Sequence, residues 1–269
     1  MDISIIVLNY NTKKLTADCI NSIYNSKPKI NYEVILVDNN SADGSVELFK
    51  EKFSKKNNFS LIENTENSGF SKGNNIGIKK AKGRYILLLN SDTIVKNQSI
   101  DNLYRFAREN ENVGVVGAKL LNKDGTTQPS VFRSPTMLRV IKQYWLGERK
   151  LLDKYAPGLV SAVSVDAVVG AAFLITPDAI KKVGLLNEKY FMYFEDLDYC
   201  RQVRKQGLKV YYLPTSEIIH LHGQSGKKFA DNANQWKRLV PSAKMYYGEV
   251  GYYVRWFIMR TGQAMGISK

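Results

Sequence analysis

The stretch GRYILLLNSD, residues 83–92, constrains the chain most. Tyr85 to Leu89 run without a polar interruption, and Asn90-Ser91-Asp92 follows with no gap. A short apolar run bounded by polar residues predicts a strand covered on both faces, the pattern of a parallel sheet between helical layers. A carboxylate at the tip of such a strand is costly unless it meets a partner or a cation. Asp92 therefore reads either as the cap of a turn or as part of a site.

The neighbouring segments repeat the pattern. ISIIVLNYN (3–11), YEVILVDNN (32–40) and FSLIEN (59–64) are further apolar runs that end in polar residues. Between the first two, Ala17, Cys19, Ile20, Ile23 and Tyr24 share one helical face. SADGSVELFKEKF turns into a helix, and a glycine-rich loop leads into the helical NNIGIKKA. Strands alternating with helices predict an α/β fold with a mostly parallel central sheet flanked by helices. Ligands of such sheets bind outside the C-terminal strand ends. Leu8-Asn9-Tyr10, Asp38-Asn39-Asn40, the Asn67–Asn75 loop and Asn90-Ser91-Asp92 then share one rim.

Past residue 112 the pattern changes. VGVVGAKLL is another strand, and 122–165 reads as irregular. VDAVVGAAFLITPDAIKKVG reads as a strand and then a helix opened by Pro177. KYFMYFEDLDYCRQVRKQG runs from an aromatic loop into a helix stopped by Gly207, and KVYYLPTSEIIHLHG is a last strand region.

The net charge of +14 points to an acidic partner, such as nucleic acid, an anionic membrane or a phosphorylated substrate. Residues 201–269 hold twelve Lys/Arg and three Asp/Glu, so +9 of that charge lies in the last quarter. No nucleic-acid-binding motif accompanies it, and nucleic acid is not the expected partner. Cys19 and Cys200, the two cysteines, lie far apart on predicted helices and read as reduced, packed thiols. Met1-Asp2 opens without a basic n-region, and no run approaches the ~20 apolar residues of a membrane-spanning helix. A cytoplasmic setting is expected.

Three groups of residues can do chemistry. His220 and His222, the two histidines of the chain, sit on one face of a strand if the strand continues. One of them with Asp92 would suit a divalent cation, Mg²⁺ or Mn²⁺, given the oxygen ligand. Glu195, Asp196 and Asp198 form the densest acidic cluster, after the aromatic wall Tyr190–Phe194. Asp198 and Arg201 are spaced as a surface ion pair. For Glu195 and Asp196, desolvation by the wall would raise the carboxyl pKa, as suits a general base. ENSGFSKGNNIGIKKAKG (66–83) resembles a phosphate cradle but lacks the Walker and G-x-G-x-x-G spacings.

Taken in order, VLNYN, VDNNSADGS, ENSGFSKGNNIG, GRYILLLNSD, DGTTQPSVFRSP, VVGAAFLI, FEDLDYCRQVRKQG and HLHGQS resemble the inverting family 2 glycosyltransferases of the GT-A (Rossmann-like) fold, especially the rhamnosyltransferase-like branch. The resemblance spans roughly residues 3–225 and implies roles for matching positions. Asp38 resembles the residue that hydrogen-bonds the nucleotide base, beside Leu8, Asn9 and Tyr10. Asn67, Gly69, Phe70, Gly73, Asn74 and Asn75 resemble the donor-contacting segment, with Ser91 beside it. Asp92 corresponds to the metal-binding acid, His220 to the histidine near metal and diphosphate, and Asp196 to the catalytic base, with Glu195 next to it. Where many GT-A enzymes carry Asp-x-Asp, this sequence has Asn90-Ser91-Asp92, one carboxylate fewer.

The resemblance implies a nucleotide-sugar-binding half at 1–121 and an acceptor-binding, catalytic half at 122–225, followed by a basic amphipathic helical segment at 226–269. The implied reaction moves a sugar, first dTDP-L-rhamnose by branch, onto a cell-surface polysaccharide or lipid-linked glycan precursor. UDP-galactofuranose, UDP-glucose and UDP-N-acetylhexosamines are the alternative donors. Two other classes compete: a non-catalytic nucleotide-sugar-binding protein, and a nucleotidyltransferase, which would want a glycine in NYNTKK after the first strand. Residues 236–258 carry an apolar stripe of helical period, with Lys237, Arg238, Lys244 and Arg255 off it. Gly248 and Gly251 weaken it, and Pro241 is expected to break it. The stripe suits packing on the catalytic core, on a second copy in a homo-oligomer, or on an anionic membrane at the inner face of the plasma membrane.

Overall fold

The computed structural model describes residues 1–221 and 236–267. His222 and the Gly223-Gln224-Ser225 portion of HLHGQS lie outside the described residues. The chain runs β1 (Ile3–Asn9), α1 (Lys13–Asn25), β2 (Tyr32–Asp38), α2 (Ser45–Phe53), β3 (Phe59–Glu63), α3 (Gly69–Lys80), β4 (Tyr85–Asn90), β5 (Thr93–Val95), α4 (Ser99–Glu109), β6 (Val113–Leu121) and β7 (Val131–Phe132). It continues through α5 (Met137–Tyr144), β8 (Val163–Val165), β9 (Ala167–Val168), β10 (Ala172–Ile175), α6 (Pro177–Val183), α7 (Glu195–Lys205), β11 (Lys209–His220), α8 (Trp236–Tyr247) and α9 (Glu249–Ala264).

The main sheet has the order β3-β2-β1-β4-β10-β6-β11-β5, with β8 paired to β11; β7 and β9 form a separate ribbon. The run β3-β2-β1-β4 is parallel, as is the β6–β11 pair. Between these two blocks β10 runs antiparallel to both β4 and β6. Its direction was not readable in the sequence. The chain returns to the sheet from the C-terminal rim, after the β7–β9 excursion, and must enter pointing the other way.

Alternation along β1 explains the two helical layers. Ile3, Ile5 and Val7 point to one face, where Cys19 and Ile20 of α1, Phe49 and Phe53 of α2 and Leu103 of α4 cover them. Ile6, with Ile35 and Val37 of β2, points to the other, under Ile78 of α3, Ala179 of α6 and Val203 of α7. Tyr85 to Leu89 are all buried, as the opening stretch predicts. Cys19 and Cys200 are free and buried, and burial pushes the Cys19 thiol up to about 12.

Two helical features differ from the sequence reading. The irregular 122–165 region contains α5, whose one buried residue is Val140; it packs against α9, where Gly262 meets the carbonyl of Tyr144. An eight-residue helix whose partner lies more than a hundred residues away leaves little periodic signal. Pro241 sits inside α8, and the break falls instead at Gly248, with φ 75°.

The C-terminal helices are tied to α7. The Arg201 guanidinium donates to the Asp198 carboxylate at 2.5 Å and to the Tyr246 carbonyl at 2.9 Å, and stacks 3.9 Å from the Tyr246 ring. Asp198 is buried, so this pair is a clamp between helices and not the surface pair that the spacing suggests. Tyr246→Ala removes a buried ring from this joint, and about 3 kcal/mol of stability should go with it. Urea denaturation followed by tyrosine and tryptophan fluorescence checks this.

Candidate active site

Asn9, at the end of β1, is fully buried and is a hub. Its Nδ2 donates to Asp38 Oδ1 at 2.6 Å and to Ser41 Oγ at 2.9 Å, while its Oδ1 accepts from Thr12 and Thr16. Asp38 Oδ2 accepts from the Ser41 amide, so both carboxylate oxygens already hold the first rim turn in place. Leu8 and Tyr10 are half-buried beside them.

The neighbouring residue Asn39 lies on the same rim. It is buried, donates to Asn67 Oδ1 and to the Gly69 carbonyl, and accepts from Asn64 and Ser68. It therefore shapes the loop that opens α3. Gly69 has φ 79°, and a Cβ there would stand 2.5 Å from the Phe191 carbonyl, so only glycine fits. A Cβ at Gly73 would stand 2.6 Å from Leu8, and its absence lets α3 close on β1. Asn74 and Asn75 lie inside the protein: Asn74 donates to the Phe70 carbonyl, and Asn75 clamps Leu186 and Glu188.

At the tip of β4, Ser91 and Asp92 are buried, Ser91 Oγ accepting from Thr12. The antiparallel pairing of β11 with β5, with His220 opposite Thr93, carries the histidine to this turn. His220 Nε2 lies 3.4 Å from Asp92 Oδ1, and both side chains are almost wholly buried. His220 Nδ1 is 2.8 Å from Gln128 Oε1. Gln128 belongs to the DGTTQPSVFRSP stretch, where nothing in the sequence pattern singles it out. Among the described residues no group of three or more His, Cys, Asp and Glu gathers as a metal cluster. Asp92 and His220 nonetheless face each other as one oxygen and one nitrogen donor, a pair that could serve a divalent cation.

Asp196 reaches the same place from α7. Its Oδ2 accepts from the Gly170 amide at 3.1 Å and its Oδ1 from Leu197 at 2.8 Å. The next carbonyl, that of Ala171, accepts from the Asn90 amide at 3.0 Å. One dipeptide thus joins Asp196 to the turn that carries Asp92. Phe70, whose amide donates to Phe191, flanks Gly170.

Burial raises the pKa of both acids of the pair. For Asp196 the two amide donors and the Lys154 charge oppose the rise; for Glu195 the Asp196 charge adds to it. Both carboxyls are therefore harder to ionise than a free carboxyl. Asp196 is only partly covered, whereas Glu195 is buried.

This frame, acids on the C-terminal rim of a mixed sheet with helices on both faces, is GT-A-like. A crystal structure of GalNAc-T7 with UDP, GalNAc and Mn²⁺ superposes with a TM-score of 0.64 over 82% of this chain and 44% of that one, at 15% identity. The glycosyl transferase family 2 model matches residues 4–164, and the chain belongs to that family. Among curated relatives, a low-salt glycan biosynthesis hexosyltransferase of Haloferax volcanii is 26% identical, covering 81% of this chain and 67% of its own length. A poly(ribitol-phosphate) beta-glucosyltransferase of Bacillus spizizenii is 37% identical over 49% of this chain and 21% of its own. An N-acetylglucosaminyl-diphospho-decaprenol L-rhamnosyltransferase of Mycobacterium tuberculosis is 25% identical over 70% and 66%. The chain thus spans from about a fifth to two thirds of these relatives.

Because the fold raises the Glu195 pKa, the folded state holds that proton more tightly than the unfolded chain. Stability is then lost as pH rises from the ordinary carboxyl range through the raised value. Glu195→Gln removes this dependence. Urea denaturation at pH 5 and pH 9 should show the variant gaining on the wild type as pH rises.

Proposed function

We propose that the protein transfers a sugar from a nucleoside-diphosphate donor to a hydroxyl acceptor by a single inverting displacement, with Asp196 as the base. The observation that carries this is the Gly170–Ala171 step, which ties the partly accessible Asp196 to Asn90 at the start of the turn that bears Asp92, which in turn faces His220. Residues 1–121 take the donor, with Asp38 and the backbone at Leu8–Tyr10 around the base and the Asn67–Phe70 loop over the sugar side. Residues 122–225 take the acceptor. Asp92 and His220 hold the divalent cation, Mg²⁺ or Mn²⁺, which when bound stabilises the charge growing on the departing diphosphate. Asp196 accepts the acceptor's proton as the hydroxyl attacks the anomeric carbon from the opposite face.

L-rhamnose from dTDP-L-rhamnose is the proposed sugar. The branch resemblance and the mycobacterial relative support it, and a cell-surface polysaccharide or lipid-linked glycan precursor is the proposed acceptor. The glucosyltransferase relative supports a UDP-sugar as the second reading. The test is a panel of dTDP-, UDP- and GDP-sugars with Mn²⁺, Mg²⁺ or chelator, followed through released nucleoside diphosphate. One donor should turn over, and Asp92→Ala should abolish the metal dependence. Asp196→Asn should lower kcat by about 10²–10⁴-fold while donor binding persists. Binding of every donor without turnover of any would favour a non-catalytic role.

The same reading places the chain peripherally at the inner face of the plasma membrane. No helix among the described residues is long and apolar enough to cross a membrane. Val250, Tyr253, Val254, Trp256 and Phe257 of α9 are exposed, in the quarter of the chain with net charge +9. Anionic lipid complements that combination. The protein should co-float with phosphatidylglycerol vesicles and not with phosphatidylcholine alone, and Phe257→Asp should weaken the association.

A further inference from the structure

His220 has two ring nitrogens, and which of them carries the proton decides what the ring offers to Asp92. A chain of hydrogen bonds behind the ring answers the question. At its far end, Asp124 Oδ1 accepts from both the amide and the hydroxyl of Thr126, at 3.0 and 2.6 Å. These two bonds hold the Asp124 carboxyl below its usual range, so it remains an acceptor. With its own proton given to Asp124, Thr126 Oγ1 can only accept from Asn122 Nδ2, 2.9 Å away. That fixes the Asn122 amide, whose Oδ1 accepts from Gln128 Nε2 at 2.9 Å. Gln128 Nε2 also donates to the His220 carbonyl at 3.2 Å. Both neighbours of Gln128 Nε2 are acceptors, so the Gln128 amide has one orientation. Its Oε1, which has no proton to give, faces His220 Nδ1 at 2.8 Å.

We propose that Gln128 is a positioning residue that keeps the His220 proton on Nδ1, leaving the Nε2 lone pair aimed at Asp92 as a cation-binding donor. One further contact agrees: Asn90 Nδ2, a donor, lies 3.5 Å from Nε2 and can meet a lone pair there. The Asp92 carboxylate, an acceptor 3.4 Å from the same nitrogen, favours a proton on it, and the shorter contact to the fixed Gln128 oxygen opposes that. In the opposite tautomer Nε2–H would bond to Asp92, tying the two donors to each other. The Gln128 oxygen would then face a second lone pair at 2.8 Å, with no freedom to turn. The hairpin of residues 122–128 thus opposes that arrangement.

The part of the proposal that concerns the cation rests on the glycosyltransferase reading; the tautomer does not, and the test separates them. The full chain, labelled with ¹⁵N-histidine, is measured by long-range ¹H–¹⁵N correlation at pH 8.5 without metal. The two imidazoles are assigned with a His222→Gln variant. The wild type should show His220 as the Nδ1–H tautomer. Gln128→Leu should move it towards Nε2–H, and Gln128→Glu, which still accepts from Nδ1–H, should restore it. An Nε2–H wild type, or a Gln128→Leu variant that keeps Nδ1–H, overturns the proposal. Free Mn²⁺ is then counted by electron paramagnetic resonance with UDP or dTDP present. Gln128→Leu should weaken Mn²⁺ binding by about 10–100-fold, with Gln128→Glu close to wild type. A tautomer that shifts without a change in Mn²⁺ affinity overturns the link to the cation, while donor turnover independently tests the enzyme.

Discussion

The Gly170–Ala171 step depends on β10 running against its neighbours. An antiparallel strand in the middle of an otherwise parallel block starts where the others end. Its first residues therefore lie on the rim where β1, β2 and β4 present their polar tips. The Asn90 amide takes the Ala171 carbonyl there, and the Gly170 amide, one residue back, turns outward to Asp196. Were β10 parallel, this step would sit at the opposite edge of the sheet. The separation between Asp196 and the turn that carries Asp92 is thereby set by backbone, which is stiffer than any arrangement of long side chains.

The second constraint is the aromatic segment Tyr190–Phe194. Tyr190 is buried, the Phe191 carbonyl takes the Phe70 amide at 2.6 Å, and the Met192 carbonyl takes Ser242 Oγ at 2.9 Å. Tyr193 and Phe194 both hold positive φ, each at a cost on the order of 1 kcal/mol for a residue with a side chain. The Phe194 ring, 5.3 Å from Tyr246 and 5.7 Å from Tyr247, helps to offset that cost. One short loop consequently contacts α3, leads directly into the acid pair and leans on α8. Asp196 stands at the first turn of α7, where the helix dipole favours its anion. The C-terminal helices are part of the frame that holds the acid in register, whatever else the outer face of α9 touches.

How much of this the sequence disclosed follows from what each feature needs in order to be visible. β4 and its polar tip were legible because both faces of the strand are buried, so the pattern is local. The acid pair was legible because an aromatic run precedes it directly. His220 stood out as one of two histidines in the chain. The direction of β10 was not legible, since an apolar strand reads the same in either sense. Nor was the inward placement of Asn74 and Asn75: a polar residue beside glycines looks like a ligand contact until its partners, here Phe70 for Asn74 and Leu186 and Glu188 for Asn75, are known. Gln128 stayed hidden because its partners lie 6 residues back and 92 residues ahead, and no spacing rule joins those distances.

Asn90 in place of a second acid changes the electrostatics of the turn. Two carboxylates two residues apart, as buried as Asp92, would repel each other, and one would take up a proton. A proton is what a cation must displace, so such a pair gains charge complementarity at the expense of competition with protons. With Asn90, the turn carries one carboxylate beside an imidazole, and the Asn90 amide lies 3.5 Å from Nε2. On the proposed reading the ring would supply what the missing acid does not. A neutral imidazole offers one lone pair, and its direction is fixed by where the proton sits. A site with a single acid is therefore more sensitive to the hydrogen bond on the far side of its histidine than a site with two.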